Sequence, residues 1–500
     1  MKHGAFRRDY LPMVLILGLG LAARVYQLAR QGLWIDEGYS VTLAGLSPAS
    51  IVAGTAADQH PPLYYLLLHG WLGLVGRSEF AVRFLSVAAG ILTLAVLYAV
   101  GRRMSSARLG LWSALLLALS PIHIQYSQEA RMYTLLALLG LLSVYTLRCW
   151  LEQPSIGRGT LYVLSTAAAL YTHNLAVFLL PFEAMWAIAW ATTRRDSSGY
   201  RPALDNQRLW GWLVCQAAIA LLWLPWLPTV VMQAHSHRVP WIVPPTLPML
   251  RDTLLRLTTG ILIDQPGGPP AILGWLWLSM TGLAVALAWK RGQEQQRELV
   301  FSGLLFGVPA ALIVGLSFAY PLYQDKQFVF LVPALMSCLA AGLLALRPLW
   351  RILAVAGLLA LNAYPLYDLY YRGSRPEWRE AIAYMDDNAQ PGDLIVLNPA
   401  AGEIMLDLYS AHRWPVVGFP RAYDILVGGF VGETVTPTTL EARLGPVLES
   451  YDRVWLLEFT ADVWDPGRLI VTWLETHTSP RPAPAFAQLE LRLYEIGQRR

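Results

Sequence analysis

At 500 residues, 55% hydrophobic and only 14% charged, the chain departs from soluble domains, which are about 25% charged and 45–50% apolar. The net charge of +4 is small, and no cluster of Lys and Arg resembles a nucleic-acid-binding face. What remains is a membrane protein whose charges inform through their placement.

In chain order, "MKHGAFRRDY" leads into the apolar run "LPMVLILGLGLAARVYQLA". No small-residue cleavage pattern follows, so the run reads as a retained first helix rather than a signal peptide. A bilayer core needs about 20 apolar residues as helix. Windows of that kind fall at 11–29, 80–100, 109–126, 132–150, 160–172, 174–192, 209–230, 271–289, 299–319, 327–346 and 350–368, about eleven spans by that measure. The cysteines Cys149, Cys215 and Cys338 all sit in apolar runs without metal-ligand spacing and read as small hydrophobic fillers.

Basic residues orient these spans. Lys2, Arg7 and Arg8, "GRRMSSAR" (101–108), Arg148 with Arg158, "RRDSSGYRPALDNQR" (194–208), "KRGQEQQR" (290–297) and Arg347 with Arg351 share one side. By the positive-inside rule that side is cytoplasmic, with the C-terminus outside. "PPLYYLLLHGWLGLVG" (61–76) is short for a span, and counting it would invert everything downstream. Its prolines suit a helix start and its aromatics an interface, so it is expected as a helix on the outer membrane surface.

Past residue 371 the character changes. "DLIVLNP" (393–399), "WPVVGFP" (414–420), "RVWLLEF" (453–459) and "LELRLYEI" (489–496) read as strands. "RPEWREAIAYMDDN", with Trp378, Ile382 and Met385 in helical spacing, and "TPTTLEARLGPVLES", with Leu440, Leu444 and Val447 on one face, read as helices. The expected organisation is therefore a membrane domain, 1–371, with an outer loop at 30–79, and an extracytoplasmic α/β domain, 372–500. The latter has no Gly-rich phosphate loop.

In this orientation the outer loops collect the chemistry. The first holds "WIDEGYS", with Asp36 and Glu37, and "DQHPPLYY", with His60 and Tyr64. The second holds "YSQEARMY", with Glu129 and Arg131. Next come the turn "YTHN" with His173, a long loop at 231–270 with His235, His237, Arg238, Arg251, Asp252 and Asp264, and "YPLYQDKQF" with Asp325 and Lys326. Carboxylates beside cations at one membrane face suit reaction on an anionic lipid-linked substrate. A base takes the proton of an attacking hydroxyl or amine, and cations stabilise charge growing on a departing phosphate. Adjacent helical residues point in different directions, so one of Asp36 and Glu37 is expected as base and the other as an orienting or acceptor-binding group.

The segments "LWIDEGYS", "HPPLYYLLLHGWLGLVGRSEFAVRFLS", "SPIHIQYSQEARMYTLLALL" and "YTHNLAVFLL" resemble the C-type membrane glycosyltransferases. Among these they are similar to the bacterial branch related to protein O-mannosyltransferases and the lipid A aminoarabinose transferase, over roughly residues 5–350. "SRPEWREAIAYMDDNAQPGDLIVLNP" resembles the segment opening the extracytoplasmic domain of related bacterial proteins. The resemblance implies a polyprenyl-phosphate sugar as donor, Asp36 as catalytic base with Glu37 its neighbour, and Glu129 approaching the same site. It further implies Arg131 and Lys326 as phosphate-side cations. His60, His173 and Tyr64 are candidate substrate-binding groups. Some members bind a divalent metal, for which His60 and His173 are conceivable ligands without a tight cluster to support them.

Plainer readings stand beside these. Asp36 and Glu37 also suit a helix N-terminus through its dipole, and Glu129 with Arg131 suits a closing loop turn. His60 suits a helix start, His173 a wet turn, and Lys326 a snorkelling interface anchor. The competing function is a transporter or flippase of a lipid-linked or anionic solute, but such proteins show internal repeats and midplane charges, and neither is evident. A scaffold whose outer domain binds a partner is the third reading. Sugar and acceptor identity are not written in these residues.

Overall fold

The computed structural model describes residues 2–193, 205–236, 242–260, 271–373, 375–420, 422–426, 429–431 and 435–497. Contacts divide the chain into two units. One comprises 1–28, 60–64 and 83–372; the other comprises 29–59, 65–82 and 373–500. Of the first outer loop, 30–59 and 65–79 group by their contacts with residues 373–500, and 60–64 with the helical unit.

The helical unit carries the spans. Among the described residues, eight helices are long and apolar enough to cross a membrane, or up to nine if the bent pair Ala107–Ala118 and Pro121–Ser127 is one span. Every sequence window meets a helix, but the helices met at 11–29 and 160–172 are not among those eight. The window at 11–29 overruns a helix that ends at Val25, after which the chain turns through Gln27 with φ 59°. That at 160–172 falls in a helix of 17 residues, Ile156–Thr172. Hydropathy sums apolar residues but does not register where the backbone breaks.

Two fully buried charges in this unit, Arg24 and Glu183, are met by neutral groups. Arg24, fully buried, donates to the carbonyls of Gly20 (3.0 Å), Ala118 (3.0 Å) and Leu117 (3.1 Å), to Ser127 Oγ (3.1 Å), and bonds His123 Nδ1 (2.8 Å). Its guanidinium therefore fills the break between Ala118 and Pro121, where the bent pair turns by 65° and helix-end carbonyls would otherwise lack donors. Glu183, also fully buried, accepts from Ser143 Oγ (2.6 Å) and Tyr162 (2.8 Å). Where helices touch most closely, the residue is glycine: a Cβ on Gly342 would come within 2.4 Å of Ala284 Cβ, the small-residue contact typical of membrane helices.

The second unit contains a five-stranded sheet. Its strands are β1 (Asp393–Asn398), β2 (Val416–Gly418), β5 (Arg453–Glu458), β6 (Ser479–Arg481) and β7 (Glu490–Glu495), and a separate hairpin holds β3 (Ala422–Asp424) and β4 (Gly429–Val431). The order is β2-β1-β5-β7-β6, with β1 parallel to β2 and β5, and β7 antiparallel to β5 and β6. In the β1–β5 register Leu394 faces Val454 and Val396 faces Leu456. These residues form a core with Leu440, Leu444, Ile470, Leu474 and Tyr494. The alternate positions Ile395, Leu397, Trp455 and Leu457 are buried as well, so the central strands have both faces covered, as a continuous apolar run requires. The four strands and both helices expected from the sequence are present; the helices Glu403–Tyr409 and Leu469–His477 are additional.

Candidate active site

In the helical unit the expected residues gather around Tyr133 and Ser86. Glu129 and Arg131 lie in the turn between the helices Pro121–Ser127 and Tyr133–Glu152; both are buried, at 6% and 4% exposure. Ser86 Oγ donates to the Arg131 carbonyl at 3.1 Å, and Thr134 Oγ1 donates to the Ser86 carbonyl at 3.0 Å. With the Ser86 proton so committed, the Tyr64 hydroxyl donates to Ser86 Oγ at 3.1 Å. A chain of hydrogen bonds thus ties the "HPPLYY" segment to the Arg131 turn.

On the other side of this cluster, the His60 and His173 rings meet edge to face at 5.3 Å, and Tyr133 lies 6.3 Å from His173. Lys326 Nζ stands 5.9 Å from the Tyr133 ring centre, within cation–π range. His173 caps the end of the helix Ile156–Thr172, and its Nδ1 accepts from the Leu175 N–H at 3.2 Å. That bond leaves the ring hydrogen on Nε2. Burial first, then the neighbouring His60, Arg131 and Lys326, hold its imidazole well below the ordinary histidine range, so the ring is neutral near pH 7 and presents an N–H donor. Asp325, next to Lys326, donates no proton here: it accepts the Lys326 N–H at 2.6 Å and pairs with Arg256. The Lys326 ammonium is therefore carried beside a carboxylate already paired elsewhere.

Asp36 and Glu37 lie in the second unit, at the start of the helix Ile35–Ala44. Their environments differ. Asp36 is half-buried, whereas Glu37 is fully buried. Glu37 accepts the Trp34 N–H at 3.4 Å, capping the helix start, and pairs with Arg375 at 3.3 Å. Residues one apart on a helix diverge by about 100°, so the two acids point in different directions.

His235 and His237 were expected together in a loop. His235 instead ends the helix Leu227–Ser236, its Nδ1 at 2.7 Å from the Val231 carbonyl, while His237, Arg238 and Asp264 lie outside the described residues. Arg251 and Asp252 pair with each other at 2.6 Å. Among the described residues no group of three His, Cys, Asp or Glu is placed to hold a metal ion, so His60 and His173 do not fit a divalent centre on their own. A shallow cavity of about 170 Å³ in the second unit, lined among others by Glu403, Asp407, His412 and Trp414, contains none of the expected residues. Ser86, Tyr133 and Arg375 were not anticipated. Tyr133 lay inside the quoted "YSQEARMY", but the sequence carries no mark for Ser86 or Arg375, whose importance comes from partners far away in the chain.

A family model described as dolichyl-phosphate-mannose-protein mannosyltransferase matches residues 59–226, the stretch that carries His60, Tyr64, Glu129, Arg131 and His173. ArnT from Cupriavidus metallidurans, in the apo state, superposes with a TM-score of 0.60 at 14% identity, covering 96% of this chain and 97% of that one. The fold is that of a C-type membrane glycosyltransferase. The structure of ArnT bound to undecaprenyl phosphate gives 0.60 at 13% identity, again over 96% and 97%. The archaeal oligosaccharyltransferase AglB from Archaeoglobus fulgidus, in complex with an inhibitory peptide and a dolichol-phosphate, gives 0.54 at 13%, over 98% of this chain and 74% of that one. No curated protein matches the chain in sequence. The C-type fold extends over both units, whereas the family match stops short of Asp36 and Glu37.

Proposed function

We propose that this chain is a membrane glycosyltransferase that moves a sugar from a polyprenyl-phosphate donor to an acceptor at the extracytoplasmic face, with Asp36 as general base. The observation that carries this reading is the contrast between neighbouring acids on a C-type fold. Glu37 is buried and tied to Arg375, whereas Asp36 is partly exposed and suited to taking a proton. Arg131 and Lys326, with His173 presenting its Nε2–H, supply the cationic and hydrogen-bonding groups that a phosphate leaving group needs. Solved neighbours of the same fold carry undecaprenyl phosphate or a dolichol-phosphate, which supports a lipid phosphate as donor.

In the reaction so read, Asp36 removes a proton from the acceptor hydroxyl or amine as its oxygen or nitrogen attacks the anomeric carbon. The bond from that carbon to the phosphate oxygen breaks, and the electron pair leaves on the polyprenyl phosphate. Attack opposite the leaving group inverts the anomeric centre, as in single-displacement glycosyl transfer. The lipid tail stays in hydrocarbon while the sugar phosphate meets polar groups, which is why acids and cations collect in outer loops. The helix Leu63–Val75, with 13 residues too short to span, suits a position along the outer membrane surface. The C-terminal domain lies outside in this reading.

The test is transfer from a small panel of radiolabelled polyprenyl-phosphate sugars into membranes, comparing wild type with folded Asp36→Asn. Transfer by wild type and none by the variant is expected. Equal transfer by both would remove Asp36 from the chemistry. No transfer with any donor, together with variant-sensitive movement of lipid across the bilayer, would favour a transporter.

A further inference from the structure

The mechanism uses Asp36 and leaves its neighbour unexplained. Glu37 is fully buried, an expensive place for a carboxylate unless a cation accompanies it. That cation comes from the far end of the chain: Arg375, whose side chain is 13% exposed, reaches Glu37 Oε2 with Nη1 at 3.3 Å. More than 300 residues separate them in sequence, yet both lie in the same unit.

The ion pair is one of several ties between the acid-bearing segment and residues 373–500. The Leu33 N–H, just before the helix, donates to the Tyr409 hydroxyl at 2.6 Å. Arg379 donates to the Arg30 carbonyl at 2.8 Å and pairs with Glu79 at 3.0 Å. On the helix itself, a Cβ at Gly38 would come within 2.6 Å of Met405 Sδ and 3.1 Å of Ile404, so the backbone there lies directly on the helix Glu403–Tyr409. The segment's approach, its third residue and its backbone are each held by the C-terminal part of the chain.

We propose that Arg375 is a positioning residue that sets, through Glu37, the direction in which the helix Ile35–Ala44 presents Asp36. Glu37 occupies the third helical position and Asp36 the second. At about 100° per residue, fixing the azimuth of Glu37 fixes that of Asp36. Gly38 lets the helix sit directly on Glu403–Tyr409, and the capping bond from the Trp34 N–H to Glu37 holds its first turn. The C-terminal domain thereby contributes to catalysis without touching the reacting atoms. The inference rests on the reading of Asp36 as base.

The experiment measures kcat and the donor KM of the purified full-length protein in nanodiscs, for wild type, Asp36→Asn, Arg375→Met, Arg375→Lys, Glu37→Gln and the double variant Arg375→Met/Glu37→Gln. Each preparation is first checked by thermal unfolding, and rates are expressed per folded molecule. Misplacing a catalytic group by about 1 Å costs on the order of 100-fold in rate. Arg375→Met is therefore expected to lower kcat roughly 10- to 100-fold with donor KM within about twofold, and Arg375→Lys to recover part of it. The double variant is expected to resemble the worse single variant, because both break one link. If folded Arg375→Met keeps wild-type kcat, or the single losses multiply in the double variant, the inference is overturned while an inactive Asp36→Asn still supports the base. If Asp36→Asn is as active as wild type, the reading of the base fails, and the positioning role falls with it.

Discussion

The two units stabilise their buried charges by different means. Among the described residues of the second unit, three of the four buried carboxylates have a guanidinium: Glu37 with Arg375 at 3.3 Å, Asp393 with Arg453 at 2.6 Å, Glu458 with Arg468 at 3.2 Å. The fourth, Asp465, accepts the Leu469 and Ile470 N–H groups at 2.9 and 2.8 Å. In the helical unit, Arg24 is held by carbonyls, a hydroxyl and an imidazole, Arg83 donates to the Leu28 carbonyl at 2.7 Å, and Glu183 is held by hydroxyls. A bilayer-spanning helix has its own backbone dipoles to offer, and helix ends or breaks expose carbonyls that a cation can use. A sheet commits its backbone groups to neighbouring strands, and the two strand carboxylates, Asp393 and Glu458, are met by charge. The same residue types therefore carry different costs when changed.

The comparison breaks most visibly at Arg24. Arg24→Met would strip the guanidinium donors from the Leu117 and Ala118 carbonyls at the break, leaving only the Asn362 bond to the Leu119 carbonyl there, and would leave several buried acceptors unsatisfied. Each such group costs about 1–3 kcal/mol, so the helical unit is expected to lose more than about 4 kcal/mol and the protein to unfold early in detergent melts. Arg24→Lys is expected to rescue little, since an ammonium has three donors against the five of a guanidinium. A melt of Arg24→Met within a few degrees of wild type would refute this account.

Arg453→Met tests the other strategy. It leaves Asp393, 1% exposed, with its charge opposed only by the Gln390 N–H and Trp455 Nε1–H. Breaking a buried pair from one side costs about 3–5 kcal/mol, and protection from hydrogen exchange is expected to fall in β1 and β5 while the spanning helices keep theirs. Loss of protection in both units alike would erase the distinction.

Smaller effects are expected at Glu183. Glu183→Ala removes the acceptor of two buried hydroxyls, about 1–3 kcal/mol each, whereas Glu183→Gln keeps an oxygen in place and is expected to cost well under half as much. A Gln variant no better than Ala, by thermal unfolding, would mean that charge matters in the membrane unit after all.

The smallest effect concerns acid. The bonds from Arg468, outweighing burial and helped by Arg492, hold Glu490 down at about 2, against an ordinary 4.5. Burial pushes the Asp393 carboxyl up, but its bonds from Arg453, the Gln390 N–H and Trp455 prevail and leave it below the usual range. A carboxylate whose folded value lies below its unfolded one adds stability above the unfolded value and loses it as pH falls toward the folded one. The second unit is thus expected to weaken progressively from about pH 4.5 down to about 2, read by hydrogen exchange or intrinsic Trp fluorescence. Glu490 is partly exposed, which keeps the effect modest.

Much of this architecture is legible from residues alone. Continuous apolar runs of about 20 residues have one reading, and "DLIVLNP" and "RVWLLEF" are strands because nothing else buries such runs so briefly between turns. The candidate groups His60, Glu129, Arg131, His173 and Lys326 were visible because polar residues stand out beside apolar spans. What escaped depended on tertiary pairing. Gln27 ends the first helix early through a backbone turn that hydropathy cannot weigh. Ser86 is one hydroxyl inside an apolar run, and it becomes informative only once the Arg131 carbonyl is known to lie above it. Arg375 is one arginine among many until Glu37 is seen to be buried. The grouping of 30–59 and 65–79 with residues 373–500 is hidden for the same reason, since the ties are a hydroxyl, a glycine and an ion pair far apart in sequence.

Gly38 offers a use outside the enzyme itself. Its missing side chain is a clearance of atomic width, occupied from the opposite side by Met405. A relative that carries a bulky residue at the corresponding position has to move the side chains that Met405, Ile404 and Leu408 place there. One codon in the first loop is thus coupled to three in a distant helix, and across homologous chains the residues at these positions are expected to change together.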